Sequence, residues 1–343
     1  MITRLGMFVP SRTRLLLALL TVPLALLAAC SSSGDSGSPA SSSPAASSTA
    51  ASSGAASSTA TSVDGVTVKG GFGTKPAVTI ADKSAPGQLA AQVLTNGSGA
   101  AVAKGDTLVA NYSGQTWAGK DGKPNVFDSS FDRGKPTAFV IGTGAVIPGW
   151  DKTLVGKPLG SRVLLSIPPA DGYGSSGQPD AGIAGTDTLV FVVDLIAAYH
   201  PDASAPGVAV SSLPAGLPKL TNVAGKPPTV TSTAGVKAPK KPAATLLVKG
   251  SGAPIEGTKT LVLQVIQTDL ATGTKTESTW GKAPQTVAAT NVLSVASALN
   301  GQKVGSRVLI LTPAIAATPA SGSQQAQPAS PAGILIVDVV GQF

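Results

Sequence analysis

The feature that most constrains this chain is that much of it occurs twice. Asn96-Gly97-Ser98-Gly99-Ala100, followed by Thr107-Leu108-Val109, returns as Lys249-Gly250-Ser251-Gly252-Ala253, followed by Thr260-Leu261-Val262. Gly160-Ser161-Arg162-Val163-Leu164-Leu165 returns as Gly305-Ser306-Arg307-Val308-Leu309-Ile310. Leu189-Val190-Phe191-Val192-Val193-Asp194 is echoed by Ile334-Leu335-Ile336-Val337-Asp338, and the approach Gly73-Thr74-Lys75-Pro76 by Gly225-Lys226-Pro227-Pro228. Matches in one order at a near-constant offset mark tandem copies of one unit. Whatever the fold, it must be built twice. The copies are expected at residues 64–199 and 225–343, joined by a Pro/Ala-rich linker at 200–224.

The copies differ in their aromatic residues. The chain of 343 residues is only 4% aromatic, and ten of its thirteen aromatics lie between Phe72 and Tyr199. Such concentration is what an apolar pocket requires. On the repeat alignment Tyr112 faces Val265, Trp150 faces Val295, Phe127-Asp128 faces Thr276-Glu277, and Tyr173 falls near Thr318. The second copy has only Trp280 and Phe343. It keeps a strand framework and lacks the pocket, so chemistry is expected in the first copy alone.

Local patterning reads as mostly β. Short runs bounded by Gly, Pro and Asp cover Thr107 to Ser113, Ala138 to Ile141, Arg162 to Ile167 and Thr188 to Ala197. Leu108, Ala110 and Tyr112 alternate with Thr107, Val109 and Asn111, which predicts one buried face. One short helix is expected from Gly149 to Val155, stopped by Gly156 and Pro158.

Composition excludes several function classes. Cys30 is the only cysteine and His200 the only histidine, so no intramolecular disulfide, Cys cluster or two-His metal site can form, and with His200 just past the last apolar strand of the first copy a Ser-His or Cys-His mechanism has nowhere to stand. Metal chemistry is therefore not expected, and His200 reads as a surface residue. The formal charge of +8 falls to +5 without Arg4, Arg12 and Arg14, and the remaining cations are scattered. Nucleic-acid binding would need them clustered on one face. No nucleic-acid partner is expected.

Three motifs stand in order in the first copy: Val126-Phe127-Asp128-Ser129-Ser130, then Val146-Ile147-Pro148-Gly149-Trp150, then Pro168-Pro169-Ala170-Asp171-Gly172-Tyr173-Gly174. Singly, each aromatic reads as core packing and Asp128-Ser129-Ser130 as a turn or cap. Together and in this order they resemble the FKBP-type peptidyl-prolyl isomerases. The resemblance implies an α+β, mostly β fold: a curved antiparallel sheet wrapped around a short helix, in two tandem copies. It implies isomerisation of Xaa-Pro bonds with no cofactor. Trp150 would floor the pocket, with Tyr112, Phe127, Phe139 and Phe191 as walls and Val146 and Ile147 along one rim. The Ile147 N–H and the Tyr173 hydroxyl would hold substrate carbonyls. Asp128 would accept a hydrogen bond inside the bowl, oriented by Arg133 and Tyr112. Gln178 stands where a His is common in the family, and Thr137 where an aromatic is common. Both changes touch the rim, where Arg133 and Gln178 would meet substrate. A macrolide of the tacrolimus or rapamycin class would be expected in an intact pocket. Two rival readings remain: an FKBP-fold module that binds proline segments with little turnover, and an envelope spacer.

The N-terminus carries an address. Arg4, Arg12 and Arg14 precede the apolar run Leu15 to Leu27, and Leu27-Ala28-Ala29-Cys30 follows. This is the layout of a secretory signal, too short for a spanning helix. The lone Cys after Leu-Ala-Ala resembles a bacterial lipobox, which implies a signal peptide at 1–29 and lipidation of Cys30. The alternative is a plain signal peptide with an incidental cysteine. Residues 30–63 are rich in Ser, Ala and Thr and are expected to be a disordered tether. The protein would then sit lipid-anchored on the outer face of the cell membrane, acting on proline-containing secreted proteins that are still unfolded or partly folded.

Overall fold

The structure is a computed structural model that describes residue 63 and residues 65–81, 84–118, 123–317 and 329–343. In the first half, β1 (Val66–Lys69), β2 (Ala77–Ile80), β3 (Ala90–Thr95), β4 (Thr107–Thr116), β5 (Val126–Ser129) and β6 (Thr137–Val140) precede the helix α1 (Pro148–Leu154). After it come β7 (Arg162–Ile167) and β8 (Leu189–Tyr199). The strands pair antiparallel in the order β3-β7-β8-β4-β5, with β6 also on β4. The fold is α+β and mostly β.

The helix begins one residue before the expected start. Pro148 occupies its first turn, where a missing N–H is harmless and φ is already helical. Val155 turns extended and Gly156 takes a φ of +84°, which ends it. Its Trp150 and Leu154 are buried against Leu108, Tyr112, Val163, Phe191 and Val193 on the concave face of the sheet. Fully burying one such aliphatic side chain stabilises by about 1.5–3 kcal/mol.

The alternation in β4 predicts a single buried face, yet both faces are buried along nearly all of it. The β1–β2 hairpin closes over the convex side, where Val66, Val68, Val78 and Ile80 pack on Leu164, Val190, Val192 and Trp117. Sheet alternation alone cannot announce a second layer supplied by a hairpin so far upstream.

The second half contains β9 (Val208–Ala209), β10 (Lys219–Thr221), β11 (Thr229–Ser232), β12 (Ala243–Lys249), β13 (Thr260–Asp269), β14 (Lys275–Ser278) and β15 (Gln285–Ala288). Then follow α2 (Ala289–Val295), β16 (Arg307–Thr312) and β17 (Gly333–Gln342). The sheet order is β14-β13-β17-β16-β12-β9, with β15 on β13, and β10–β11 form a separate hairpin. The segment 200–224, read from the sequence as a linker, thus holds β9 and β10. Val208–Ala209 extends the edge of β12, and Lys219–Thr221 starts the hairpin. Strands of two and three residues leave too little pattern to be read.

The repeated motifs have a framework meaning. The Arg162 guanidinium, 1% exposed, donates to both oxygens of Asp194 at 2.6 and 2.8 Å. Two of its other N–H groups donate to the carbonyls of Gly70 and Thr74 in the β1–β2 loop, each at 2.6 Å. Arg307 grips Asp338 at the same two distances, and its other N–H groups reach Asn222, Val223 and Lys226 in the β10–β11 loop. Ser161 and Ser306 accept the Gly97 and Gly250 N–H, both at 2.9 Å. Each buried charge is paired, with four of the five Arg162 donors and all five of Arg307 used, and such pairing is what burying a guanidinium requires.

Candidate active site

The site lies between α1 and the concave face of the first sheet. Trp150 is 0% exposed, and three rings meet it edge-on: Tyr112 at 5.5 Å, Phe139 at 5.0 Å and Phe191 at 5.4 Å between centroids. Phe127 stands edge-on to Phe191 at 5.5 Å. Edge-to-face contacts between rings add about 0.5–1.5 kcal/mol beyond buried area. Phe127, Val146 and Tyr173 are only partly buried and pack on this cluster, while Ile147 is buried. The bowl therefore has a dry floor and a partly open rim.

A polar triplet closes one side. The Tyr112 hydroxyl donates to Asp128 Oδ2 at 2.5 Å, and Arg133 Nη1 donates to Asp128 Oδ1. Arg133 Nη2 donates to the Tyr112 oxygen at 2.7 Å and to Thr137 Oγ1 at 3.3 Å, with the guanidinium 5.4 Å above the Tyr112 ring centre. The Asp128 side chain is 7% exposed, so its charge sits beside apolar walls and is held by these two donors. Burial first, then the hydrogen bond to Asp128, pushes the Tyr112 hydroxyl pKa well up. Burial and the Asp128 charge push Tyr173 up as well. Both phenols are neutral donors at neutral pH.

Two further donors border the bowl. Ile147 precedes α1, and among the described residues its N–H makes no hydrogen bond. The Tyr173 hydroxyl, just after the 3-10 turn Pro169–Asp171, likewise has no partner among the described residues. The Nε1–H of Trp150 is buried and unpartnered. Gln178 lies farther along, where its backbone pairs with Ile183 to close a small loop at 2.9 and 3.1 Å. Ala181 and Ile183 of that loop pack on the core beneath the bowl.

Of the ten aromatics between Phe72 and Tyr199, six form the bowl. Trp117 belongs to the convex-side cluster, Phe72 is 39% exposed, and Tyr199 lies against Gly341. Several supporting residues escaped the sequence reading. A Cβ on Gly114 would sit 2.4 Å from Phe191 and 2.9 Å from Phe127, and one on Gly149 would sit 2.7 Å from Ile167. Glycine inside a strand was the available signal for the first. Ser130 accepts the Tyr112 N–H at 2.8 Å and donates to Asn111 at 3.0 Å, fixing the strand that aims Tyr112. The expected lipidation residue Cys30, the signal at 1–29 and nearly all of the tether lie outside the described residues, as does Thr318.

The site is thus an aromatic bowl, rimmed by hydrogen-bonding groups, between a curved sheet and a short helix. A family model described as FKBP-type peptidyl-prolyl cis-trans isomerase matches residues 99–196, which contain this bowl. An FK506-binding protein of Streptomyces anulatus is 36% identical over 124 residues, 36% of this chain and 96% of that protein. The chain belongs to the FKBP-type peptidyl-prolyl isomerase family. It is also 46% identical to peptidyl-prolyl cis-trans isomerase FKBP15-1 of Arabidopsis thaliana over 94 residues, 27% of this chain and 58% of that protein. FkpA of Escherichia coli is 41% identical over 108 residues, 32% of this chain and 37% of that protein. Against the two plant isomerases FKBP15-1 and FKBP15-2, the chain spans a little over half of their length, 58% and 54%.

Proposed function

We propose that the first repeat accelerates cis-trans isomerisation of Xaa-Pro bonds, and that the observation carrying this is Trp150 held at 0% exposure beneath a partly open aromatic rim. The uncatalysed barrier is about 18–20 kcal/mol, because rotation breaks the partial C–N double bond. At the twisted state the amide loses resonance and much of its charge separation. A dry bowl therefore disfavours that state less than water does, and only interactions stronger in the twisted state raise the rate. The proline ring enters at Phe127 and Val146 and reaches the Trp150 floor as the rings of Tyr112, Phe139 and Phe191, closed over it in this structure, part to admit it. The Ile147 N–H and the Tyr173 hydroxyl hold the flanking carbonyls. Asp128, oriented by Tyr112 and Arg133, faces the turning imide. Gln178 and Arg133 border the substrate on either side.

The substrates we infer are proline-containing segments of secreted or envelope proteins not yet folded, met by an enzyme tethered outside the membrane through lipid on Cys30. The Arg-rich start, the apolar run and Leu27-Ala28-Ala29-Cys30 support this address. The names of the relatives suggest that a macrolide of the FK506 class fits the same bowl. The second copy, 225–343, is read as a degenerate, non-catalytic repeat. Turnover of an Xaa-Pro peptide by the full chain, beside Asp128→Ala and Tyr173→Phe, tests the proposal. Expected are clear wild-type activity, a drop of about 10- to 100-fold in Asp128→Ala for the loss of one charged hydrogen-bonding group, and inhibition by the macrolide. A folded wild type that binds proline peptides without turnover would replace it with the binding-module reading.

A further inference from the structure

The two donors assigned to the substrate carbonyls stand on different loops, and neither loop is part of the sheet. Ile147 ends the loop that leaves β6, and Tyr173 follows the 3-10 turn after β7. Their separation must be fixed by something both loops touch. The helix α1 is that element, through two consecutive residues. Asp151 Oδ1 accepts the Gly142 N–H and Oδ2 the Gly144 N–H, both at 2.6 Å. These glycines have φ of +78° and +80°, so the loop is a tight left-handed turn strapped down by one carboxylate. Lys152 Nζ, one residue on, donates to Asp171 Oδ1 at 2.6 Å, and the Asp171 side chain is 16% exposed. Asp171 is separated from Tyr173 only by Gly172, whose N–H is held by the Pro169 carbonyl at 3.0 Å.

Resting on the isomerase reading above, we infer that Asp151 and the Lys152–Asp171 pair are positioning residues that set the distance between the Ile147 N–H and the Tyr173 hydroxyl. The hydrogen bonds of these three side chains go to the two loops and to each other, not to the bowl. Trp150, their neighbour on the helix, fixes the floor, so one turn of α1 references floor and both donors to each other. Two hydrogen bonds to flanking carbonyls help the twisted state only if the donors wait at the right separation. As a contribution to stability an exposed ion pair such as Lys152–Asp171 is minor. As a spacer it matters, since small misplacements of catalytic groups cost rate steeply.

The test uses the full chain and measures kcat and KM separately on an Xaa-Pro peptide for Asp151→Ala, Lys152→Met and Lys152→Arg. Expected is a fall of about tenfold in kcat/KM for the first two, carried mostly in kcat, with Lys152→Arg close to wild type. The wild-type rate should also fall as salt rises and screens the exposed pair, a dependence absent from Lys152→Met. Tryptophan fluorescence, read beside Trp117→Phe and Trp280→Phe backgrounds that leave Trp150 as the emitter, and the urea midpoint show whether the bowl stays folded, and Lys152, exposed on the helix, can lose its charge without unfolding it. An active wild type with folded variants within twofold of it would overturn the inference while leaving the isomerase reading intact. A loss of rate that tracks lost stability, or a salt dependence surviving in Lys152→Met, would likewise overturn it. A folded wild type without isomerase activity removes the isomerase reading and this inference together.

Discussion

The first and second sheets share a framework and diverge at one corner. In both, a hydroxyl just past the edge strand accepts the N–H of a central-strand residue and donates to an amide beside it. In the first sheet these are Ser130, Tyr112 and Asn111; in the second they are Thr279, Val265 and Gln264, at 2.8 Å and 2.5 Å. Register makes the comparison firm: Tyr112 pairs with Val193 and Val265 with Val337, each one residue before the buried aspartate. In the first sheet the corner aims a phenol at Asp128. In the second, valine has no hydroxyl to aim, and the Gln264 amide instead donates to the Pro201 carbonyl at 2.6 Å. Gly281 N–H also donates to that carbonyl, and Trp280 Nε1–H donates to Ser204. The same corner organises a pocket in one repeat and grips the chain leaving β8 in the other. Fold is therefore carried by the Gly, Ser, Arg and Asp that the two sheets share, and on the function proposed above chemistry falls to the aromatics they do not.

If the frameworks are equivalent, they should break equally. Arg162→Met leaves Asp194 buried without its partner, and Arg307→Met does the same to Asp338. Removing one partner of a buried pair costs about 3–5 kcal/mol, because a bare charge is left in the core. Urea unfolding of each variant is expected to show losses of similar size in that range. A near-neutral Arg307→Met would end the idea that both hairpins are held by one device.

How much of this was legible before the structure depends on where the signal sits. Repeats, strands and the pocket aromatics are local patterns, and β7 is read to the residue. The Arg–Asp pairs were visible only as a repeated motif, since Arg162 lies 32 residues from Asp194 and 92 from Gly70. The Tyr112–Asp128–Arg133 triplet followed from family resemblance, not from spacing. Asp151 drew no reading from the sequence, because the two N–H groups it holds belong to a loop no periodicity describes. The β1–β2 layer and β9 were missed for the same reason: their partners are distant in sequence and their own strands are short.

A smaller effect separates the repeats at glycine. Gly114→Ala forces a Cβ against the Phe191 and Phe127 rings, whereas the corresponding strand position in the second sheet, paired to Glu277 as Gly114 is to Asp128, already carries Gln267. Overpacking of this kind costs about 1–3 kcal/mol. Gly114→Ala is expected to lower both the urea midpoint and kcat/KM, while Gln267→Ala leaves kcat/KM unchanged. Equal losses of activity would mean that the second sheet, too, contributes to the pocket.

The smallest expected signal is also the most selective, because all three tyrosines of the chain belong to the first repeat. Burial raises each of them from the ordinary value of 10.0: Tyr112 and Tyr173 with the help of Asp128, Tyr199 by burial alone against Gly341. A phenol whose folded pKa lies above its unfolded one contributes stability that is fully present below pH 10 and lost as pH rises toward the folded value, because only the unfolded chain ionises in between. Absorbance of the native protein near 295 nm should therefore show no tyrosine titrating with a midpoint at 10. Urea stability of the first repeat should start to fall above that pH. Asp128→Asn removes the neighbouring charge and should bring Tyr112 and Tyr173 down toward the ordinary value while leaving Tyr199 where it was. A full-amplitude titration at pH 10 in the folded wild type would mean the bowl is wet, and with it the difference between the two repeats would shrink to a difference in side-chain size.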